Sequence, residues 1–135
     1  MKIKFVAACG LFWWLSAGGL PALGMDRWAA LSLMESGNND AAVGRAGEVS
    51  RYQINPVLWA QYCPAGKTAA RTNPQVALRV AQSIMSVRCA EFERHFHRSP
   101  TNFEYYVLWN APAQVHKPNR VVARRARRFC NLVGS

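Results

Sequence analysis

Acidic residues and metal-binding motifs are both scarce in this sequence. Only seven of the 135 residues are Asp or Glu, against 17 Lys and Arg. The chain has no Cys-x-x-Cys pair, and His95 and His97 lie two residues apart, which puts them on different faces of a helix. A metal site is therefore not expected, and no cofactor is predicted. Internal repeats and low-complexity tracts are absent as well.

The start of the chain has the composition of a secretory signal peptide. Lys2 and Lys4 precede an apolar run over residues 5–20, and Ala22-Leu23-Gly24 supplies the small residues that a signal peptidase reads. The alternative is an uncleaved membrane anchor, because the run approaches the roughly 20 residues of a spanning helix. We expect cleavage near Gly24, so that residues 1–24 are the signal peptide, residues 25–135 form one domain, and the protein is periplasmic or secreted.

The excess of basic residues predicts an anionic partner. The formal net charge is +10, and most of the basic residues are arginines. Nucleic acid is the usual partner of such a chain, but an exported protein meets the cell wall and anionic envelope polymers first, so no nucleic acid is expected. Arg124, Arg127 and Arg128 fall on the outer face of the last predicted helix and would carry this attraction. Charge that serves solubility alone is the competing interpretation.

The cysteines leave the disulfide pattern open. After signal cleavage the chain would keep Cys63, Cys89 and Cys130. An odd number of cysteines allows at most one internal bridge in an oxidising compartment, and the spacing does not decide which pair forms. Cys89 lies on an apolar stripe, which favours a core position over a nucleophilic one.

Start and stop signals divide the rest of the chain into helices. Asp26 and Gly37 are the N-cap and the C-terminal glycine of a first helix. Asn55-Pro56 and Asn73-Pro74 begin two more helices, and Thr101 with Glu104 forms a capping box for another. Residues 38–50 have the composition of a loop or small hairpin.

The longest predicted helix has an apolar stripe, and so does the last one. The two stripes consist of Leu78, Ala81, Met85, Cys89, Phe92 and Phe96, and of Val122, Ala126, Phe129 and Val133. The whole pattern predicts a mainly α, compact helical domain with a cleft and at most a small β-hairpin. We expect it to be a monomer.

Glu35 is the acidic residue with the most unusual surroundings. Trp28, Leu31 and Glu35 lie on one side of the first helix, and Gly37 ends that helix just after Glu35. The negative end of the helix dipole and the apolar neighbours both disfavour a carboxylate there, so Glu35 should hold its proton near neutral pH. A protonated carboxyl is a general acid. The plainer alternative is a partly exposed Glu at a helix end.

Two blocks of residues carry a family resemblance. The first contains Glu35-Ser36-Gly37, then Ala42-Val43-Gly44, then Tyr52-Gln53-Ile54-Asn55-Pro56 with Trp59. The second is Leu108-Trp109-Asn110-Ala111-Pro112. In order and separation they resemble the motifs of the lysozyme-like lytic transglycosylases, which run Glu-Ser, Ala-Val-Ser, Gly-Leu-Met-Gln-Ile and later Ala-Tyr-Asn-Ala-Gly. The resemblance covers a whole small domain and implies an α+β lysozyme-like fold.

Four positions depart from the family pattern. Ser50 stands where the family has a Gly before its Gln-Ile, and Gly44 replaces the Ser of Ala-Val-Ser. Trp109 replaces the Tyr of Tyr-Asn, and Pro112 replaces the following Gly. The Glu-Ser, Gln-Ile and Asn pieces are intact.

The resemblance implies an exported peptidoglycan glycosidase with Glu35 as its catalytic acid and base. In the family, one Glu suffices, because the N-acetyl group and 6-hydroxyl of the substrate replace a second carboxylate and water. Gln53 and Asn110 would hold the sugar through their amides. The other expected binding residues are Ser36, Tyr52, Ile54, Tyr106 and Trp109.

Three alternatives to a lytic transglycosylase stay open. A hydrolytic muramidase would need a second carboxylate, for which Asp40 and Glu48 are the nearest candidates, although a turn role is favoured for Asp40. A wall-binding module without activity would have a groove reshaped by Ser50, Trp109 and Pro112. A polyanion-binding protein would work through the last helix alone. The aromatic and amide residues could also serve only the core or the loops.

Overall fold

The computed structural model describes residues 24–63 and 68–134, with the side chains of residues 68 and 69 left out. The expected signal peptide up to residue 23 lies outside these residues. The described part contains five α-helices and two 3₁₀ turns but no β-strand. The helices are α1 (Arg27–Ser36), α2 (Pro56–Tyr62), α3 (Pro74–Phe96), α4 (Asn102–Asn110) and α5 (Arg120–Val133), and the turns are Thr68–Thr72 and Pro112–Gln114. The predicted mainly α fold is confirmed.

Each predicted helix start is confirmed by its cap. Asp26 accepts hydrogen bonds from the backbone N–H groups that begin α1, and Asn55 and Asn73 do the same for α2 and α3. Thr101 and Glu104 form the expected reciprocal capping box of α4. Side-chain oxygens satisfy helix N–H groups that lack a partner within the helix, so these ends were readable from short local signals.

The predicted stripe of α3 is only partly buried. Ala81, Met85 and Phe92 are in the core, as predicted, but Leu78, Cys89 and Phe96 are only partly covered. The buried face instead includes Ala77, Val80 and Ile84. The reason is tertiary: α2 and α4 both pack on α3, so the covered surface is wider than one row of residues three or four apart.

Helices α4 and α5 form the tightest pair of the domain. Tyr106 and Phe129 are fully buried, with ring centroids 5.5 Å apart, and Tyr105 stacks on Phe129 at 6.1 Å. Val122 and Ala126 are buried as predicted, whereas Val133 is only partly so. The start of the domain joins this pair because the backbone N–H of Met25 donates to Leu132 at the end of α5.

The segment between α1 and α2 is a tight loop, as expected for residues 38–50. Val43 and Val49 form an isolated antiparallel bridge, and Val49 forms a second one with Ile54. These bridges fold the loop back beside the end of α1. The loop thereby forms a wall of the same cleft that Glu35 lines.

Two of the cysteines are free thiols. Cys63 is buried and Cys89 is half-buried.

Of the helices in the described ranges, none combines the length and the apolar character needed to cross a membrane.

Candidate active site

Glu35 lies one residue before the end of α1. Its side chain is only 9% exposed, yet it lines a cleft with a volume of about 470 Å³. The cleft is bounded by the 44–58 region, by α3, by the end of α4 and by Arg125 in the middle of α5. A carboxyl group that is almost buried but opens onto a cleft can exchange a proton with a bound molecule.

Two groups from distant parts of the chain bind the same oxygen of Glu35. The Tyr106 hydroxyl of α4 donates to Oε1 at 2.9 Å, and Nη2 of Arg125 on α5 donates to Oε1 at 3.0 Å. The contact between Arg125 and Glu35 is also an ion pair, and the Arg125 side chain is 38% exposed. The site thus exists only when α1, α4 and α5 are packed together.

Burial is the largest influence on the pKa of Glu35. The loss of hydration raises the pKa of its carboxyl, while the charge of Arg125 and the hydrogen bonds from Tyr106 and Arg125 lower it. The first effect is the largest, so the pKa stays above its usual value. The raised pKa expected from the sequence is therefore confirmed, and desolvation is its cause as predicted. The opposing effect of Arg125 was not predicted.

Arg125 could have been recognised from the helical pattern. It follows Val122 by three residues and precedes Phe129 by four, which places it on the buried side of α5. Arg124, Arg127 and Arg128 are exposed on the outer side, as predicted. An arginine flanked in this way needs an internal acceptor, and the buried carboxylate of Glu35 supplies one.

The predicted site residues divide into those that line the cleft and those that support it. The lining includes the predicted residues Glu35, Gln53, Ile54, Trp109 and Asn110. Its other members are Gly44, Arg45, Glu48, Asn55, Leu58, Ile84, Arg88, Pro112 and Arg125. Ser36, Tyr52 and Tyr106 are not part of this lining.

The three remaining predicted residues each have a packing or hydrogen-bonding role. Ser36 donates to the backbone carbonyl of Arg51 at 2.8 Å and accepts from the N–H of Asn39 at 3.0 Å. It therefore ties the end of α1 to both ends of the following loop. Tyr52 is buried with its ring edge-on to Trp109 at 6.3 Å. Tyr106 reaches the site through its hydroxyl alone.

Gly44 makes room for two polar side chains of the cleft. A Cβ at this position would collide with Oε2 of Glu48 and come within 2.7 Å of Oε1 of Gln53. Both atoms are the ends of flexible side chains, so a side chain at position 44 would require Glu48 and Gln53 to shift. The absence of a Cβ at Gly44 therefore lets both side chains keep their present positions in the cleft.

Ser50 adopts the backbone conformation that the family's glycine would favour. Its φ is +68°, in the left-handed region. The Ser50 carbonyl accepts from the N–H of Gln53 at 3.1 Å and from its side-chain amide at 3.1 Å. The substitution thus keeps the tight turn, at the cost of an unfavourable φ, and the turn holds Gln53 at the cleft.

The two extra carboxylates have different surroundings. Asp40 forms a two-point ion pair with Arg51, at 2.5 and 3.0 Å, rather than capping its own turn as expected. It is not part of the cleft lining. Glu48 accepts from the N–H of Ala46 at 3.0 Å and does line the cleft. Of the two candidates for a second carboxylate, only Glu48 is in a position to contact a bound sugar.

Arg88 is a supporting residue that sequence reasoning missed. Its Nη1 donates to the carbonyls of Leu108 and Trp109, at 2.8 and 2.9 Å. These carbonyls belong to the last turn of α4, where no helical N–H remains to bind them. Arg88 therefore anchors the segment that presents Trp109 and Asn110, and Pro112 begins the 3₁₀ turn that follows.

No group of His, Cys, Asp and Glu in the described ranges has the arrangement of a metal site. Comparisons with protein-family models, with curated proteins and with solved structures found no match to this chain. The geometry of the site is consequently the basis for a functional proposal, together with the motif resemblance.

The opposite pKa shifts of Glu35 and Glu104 predict opposite effects of removing each charge. The pKa of Glu35 is raised in the folded protein, so above pH 4.5 the unfolded chain loses this proton while the folded protein still holds it. Wild type therefore loses stability relative to Glu35→Gln as the pH rises. Arg98 and Thr101 lower the Glu104 pKa to about 2. Glu104→Gln should therefore be less stable than wild type at neutral pH, with the difference shrinking as the pH falls from 4.5 toward 2.

Thermal unfolding of the three proteins between about pH 2 and about pH 7 covers the ranges in which both effects change. The melting temperature of Glu35→Gln relative to wild type should increase with pH, and that of Glu104→Gln should decrease. A Glu35→Gln curve that follows the Glu104→Gln curve would show that the ion pair with Arg125 outweighs burial.

Proposed function

We propose that this chain is an exported peptidoglycan glycosidase, and specifically a lytic transglycosylase with a lysozyme-like fold formed by residues 25–135. It would cleave the β-1,4 bond between N-acetylmuramic acid and N-acetylglucosamine in glycan strands of the cell wall. The observation that carries the proposal is the carboxyl of Glu35, which is almost buried, has a raised pKa and opens onto a cleft. The proposed location is the periplasm or the exterior.

Glu35 has the properties required of the acid in glycoside cleavage. The leaving oxygen must receive a proton while positive charge develops on the sugar ring. A carboxyl with a raised pKa is protonated more readily than an exposed one and can supply it. Lysozyme is the general example of an acid raised by an apolar environment, and the same cause acts here, since burial is the largest influence on the pKa of Glu35.

The other cleft residues suit an amide-bearing sugar. Gln53 and Asn110 both line the cleft with Glu35, and their amides can donate to and accept from an N-acetyl group and hydroxyls. Trp109 also lines the cleft, but at 9% exposure it can offer a bound sugar a small aromatic contact rather than a full ring face. These residues come from the two motif blocks, which are far apart in the sequence and meet in the cleft.

The fate of the cleaved sugar depends on Glu48. With Glu35 alone, the substrate's own 6-hydroxyl attacks C1 as the glycosidic bond breaks. Glu35, now ionised, takes the hydroxyl proton, and a 1,6-anhydro sugar forms without a net loss of protons. A hydrolytic muramidase is the alternative, and the placement of Glu48 in the cleft favours it, since a second carboxylate can direct water to C1.

Glu35→Gln should reduce cleavage of purified peptidoglycan by about a hundredfold or more, because the amide keeps the shape and hydrogen bonding but cannot transfer a proton. Release of soluble muropeptides measures the rate. Glu93→Gln, at an exposed position outside the cleft, is the control and should lyse the wall like wild type. Undiminished lysis by Glu35→Gln would remove the enzymatic proposal.

Mass spectrometry of the released fragments separates the two outcomes. The transglycosylase product ends in an anhydro sugar and is lighter by one water than the hydrolysis product. We expect anhydro ends from wild type and from Glu48→Gln alike. Reducing ends from wild type that disappear in Glu48→Gln would identify a muramidase in which Glu48 positions water.

The exposed arginines of α5 are the proposed contact to anionic envelope polymers. Arg124, Arg127 and Arg128 lie on the face opposite the buried residues, and the strongly basic composition supports an attraction of this sign. No nucleic-acid partner is proposed, and the protein is proposed to act as a monomer. This surface would concentrate the protein on the wall without taking part in bond cleavage.

Replacing these three arginines with Gln should weaken binding to intact walls and reduce its dependence on salt. Cleavage of short soluble glycans should stay unchanged. The matched control replaces Arg79, Arg94 and Lys117 with Gln; these residues are exposed outside α5, and their replacement removes the same charge. Sedimentation with walls at increasing salt measures binding. An equal loss in both triple variants would show that net charge, and not this face, attracts the protein.

A further inference from the structure

The Glu35–Arg125 pair poses a problem for the proposed chemistry. A general acid must hold a proton, yet Arg125 stabilises the ionised form of Glu35 through an ion pair at 3.0 Å. Tyr106 donates to the same oxygen and also favours the carboxylate. Burial opposes both and is the larger influence, so Arg125 limits how far the pKa of Glu35 is raised.

The side chain of Arg125 has hydrogen-bond donors that Glu35 does not use. Its side chain is 38% exposed and lines the same cleft as Glu35. The guanidinium also lies over the ring of Tyr106, at 5.8 Å from the centroid. Only one of its nitrogens is bonded to Glu35, and an arginine carries five N–H donors. Donors thus remain that can bind a negatively charged group within the cleft.

Arg125 differs from the other charged residues of the cleft in its contact with Glu35. Arg88 from α3 is occupied by two backbone carbonyls. Arg45 and Glu48 belong to the loop wall, and Arg45 is exposed. Tyr106 from α4 faces Glu35 with a hydroxyl and no charge. Arg125 is consequently the cation that touches the acid and also faces the space where a substrate would lie.

We propose that Arg125 is a positioning residue that couples recognition of a carboxylate on the sugar to the arming of Glu35. Before a substrate binds, the guanidinium favours the ionised form of Glu35. The carboxylate of a bound muramoyl sugar, free where no stem peptide is attached, takes over the guanidinium, and Glu35 then takes up a proton from solvent. The cleft would thus select glycans with an acidic substituent over neutral ones of the same ring structure. This inference rests on the proposed glycan substrate.

The experiment follows the Glu35 carboxyl by ¹³C NMR in protein labelled at the glutamate side chains, with the signal assigned through Glu35→Gln. Two matched ligands are compared: the disaccharide of N-acetylglucosamine and N-acetylmuramic acid, and chitobiose, which lacks the carboxylate. The proteins are wild type, Arg125→Met and Arg120→Met. The last removes the same charge from an exposed position of α5 and is the control.

Without ligand, the pKa of Glu35 should be higher in Arg125→Met than in wild type, and Arg120→Met should resemble wild type. The acidic disaccharide should raise the pKa of Glu35 in wild type more than it does in Arg125→Met. It should also bind wild type at least about tenfold more tightly than chitobiose, the factor that one charge-assisted hydrogen bond supplies. That preference should vanish in Arg125→Met and persist in Arg120→Met.

Three results would overturn the coupling. They are a Glu35 pKa that does not respond to Arg125→Met, an equal ligand-induced shift in wild type and Arg125→Met, and a preference for the acidic disaccharide that survives Arg125→Met. An equal shift would mean that the ligand charge acts on Glu35 directly. The ion-pair measurement needs no turnover, so failure of the coupling is distinct from failure of the proposed glycosidase activity, which the lysis assay of Glu35→Gln tests.

Discussion

The burial of one carboxyl group at the junction of three helices is the constraint on which this structure depends. Glu35 lies at the end of α1, and its two hydrogen-bond donors come from α4 and α5, 71 and 90 residues further along the chain. A buried carboxylate without partners would be strongly unfavourable. The packing of Tyr106 against Phe129 is therefore both a core contact and the means by which the donor hydroxyl is held in place.

Local features of the domain could be predicted from the sequence, and long-range ones could not. Asp26, Asn55, Asn73 and Thr101 cap helices through atoms two or three residues away, so their roles depend on short patterns. The contact of Arg88 with the end of α4 joins residues 20 and 21 apart. No short pattern marks such a pair, because it depends on how two helices are oriented against each other.

The role of Arg125 could be predicted in part. Its place between Val122 and Phe129 on the buried side of α5 is readable from helical periodicity. Its acceptor is not, since the position of α5 relative to α1 is a property of the packed domain. Periodicity therefore identifies an arginine that must find a partner, and only the fold shows that this partner is the proposed acid.

The departures from the family motif follow from backbone and space rather than from loss of the site. Ser50 keeps a positive φ that a glycine would adopt more easily, and the turn around it still brings Gln53 to the cleft. Gly44 has no Cβ, which leaves the space that the side chains of Glu48 and Gln53 occupy. Both departures from the motif are therefore compatible with the cleft as it is formed here.

The balance at Glu35 depends on how strongly solvent weakens the attraction of Arg125. An opposite charge at 3.0 Å would normally keep a carboxyl ionised. Arg125 is more than a third exposed, however, so water screens its charge, while Glu35 itself is almost shut off from water. The cost of removing hydration from the acid thus falls on Glu35 in full, and the compensating attraction is reduced. This asymmetry of exposure across one ion pair explains how a carboxyl can have a direct cationic partner and still hold its proton more firmly than in water.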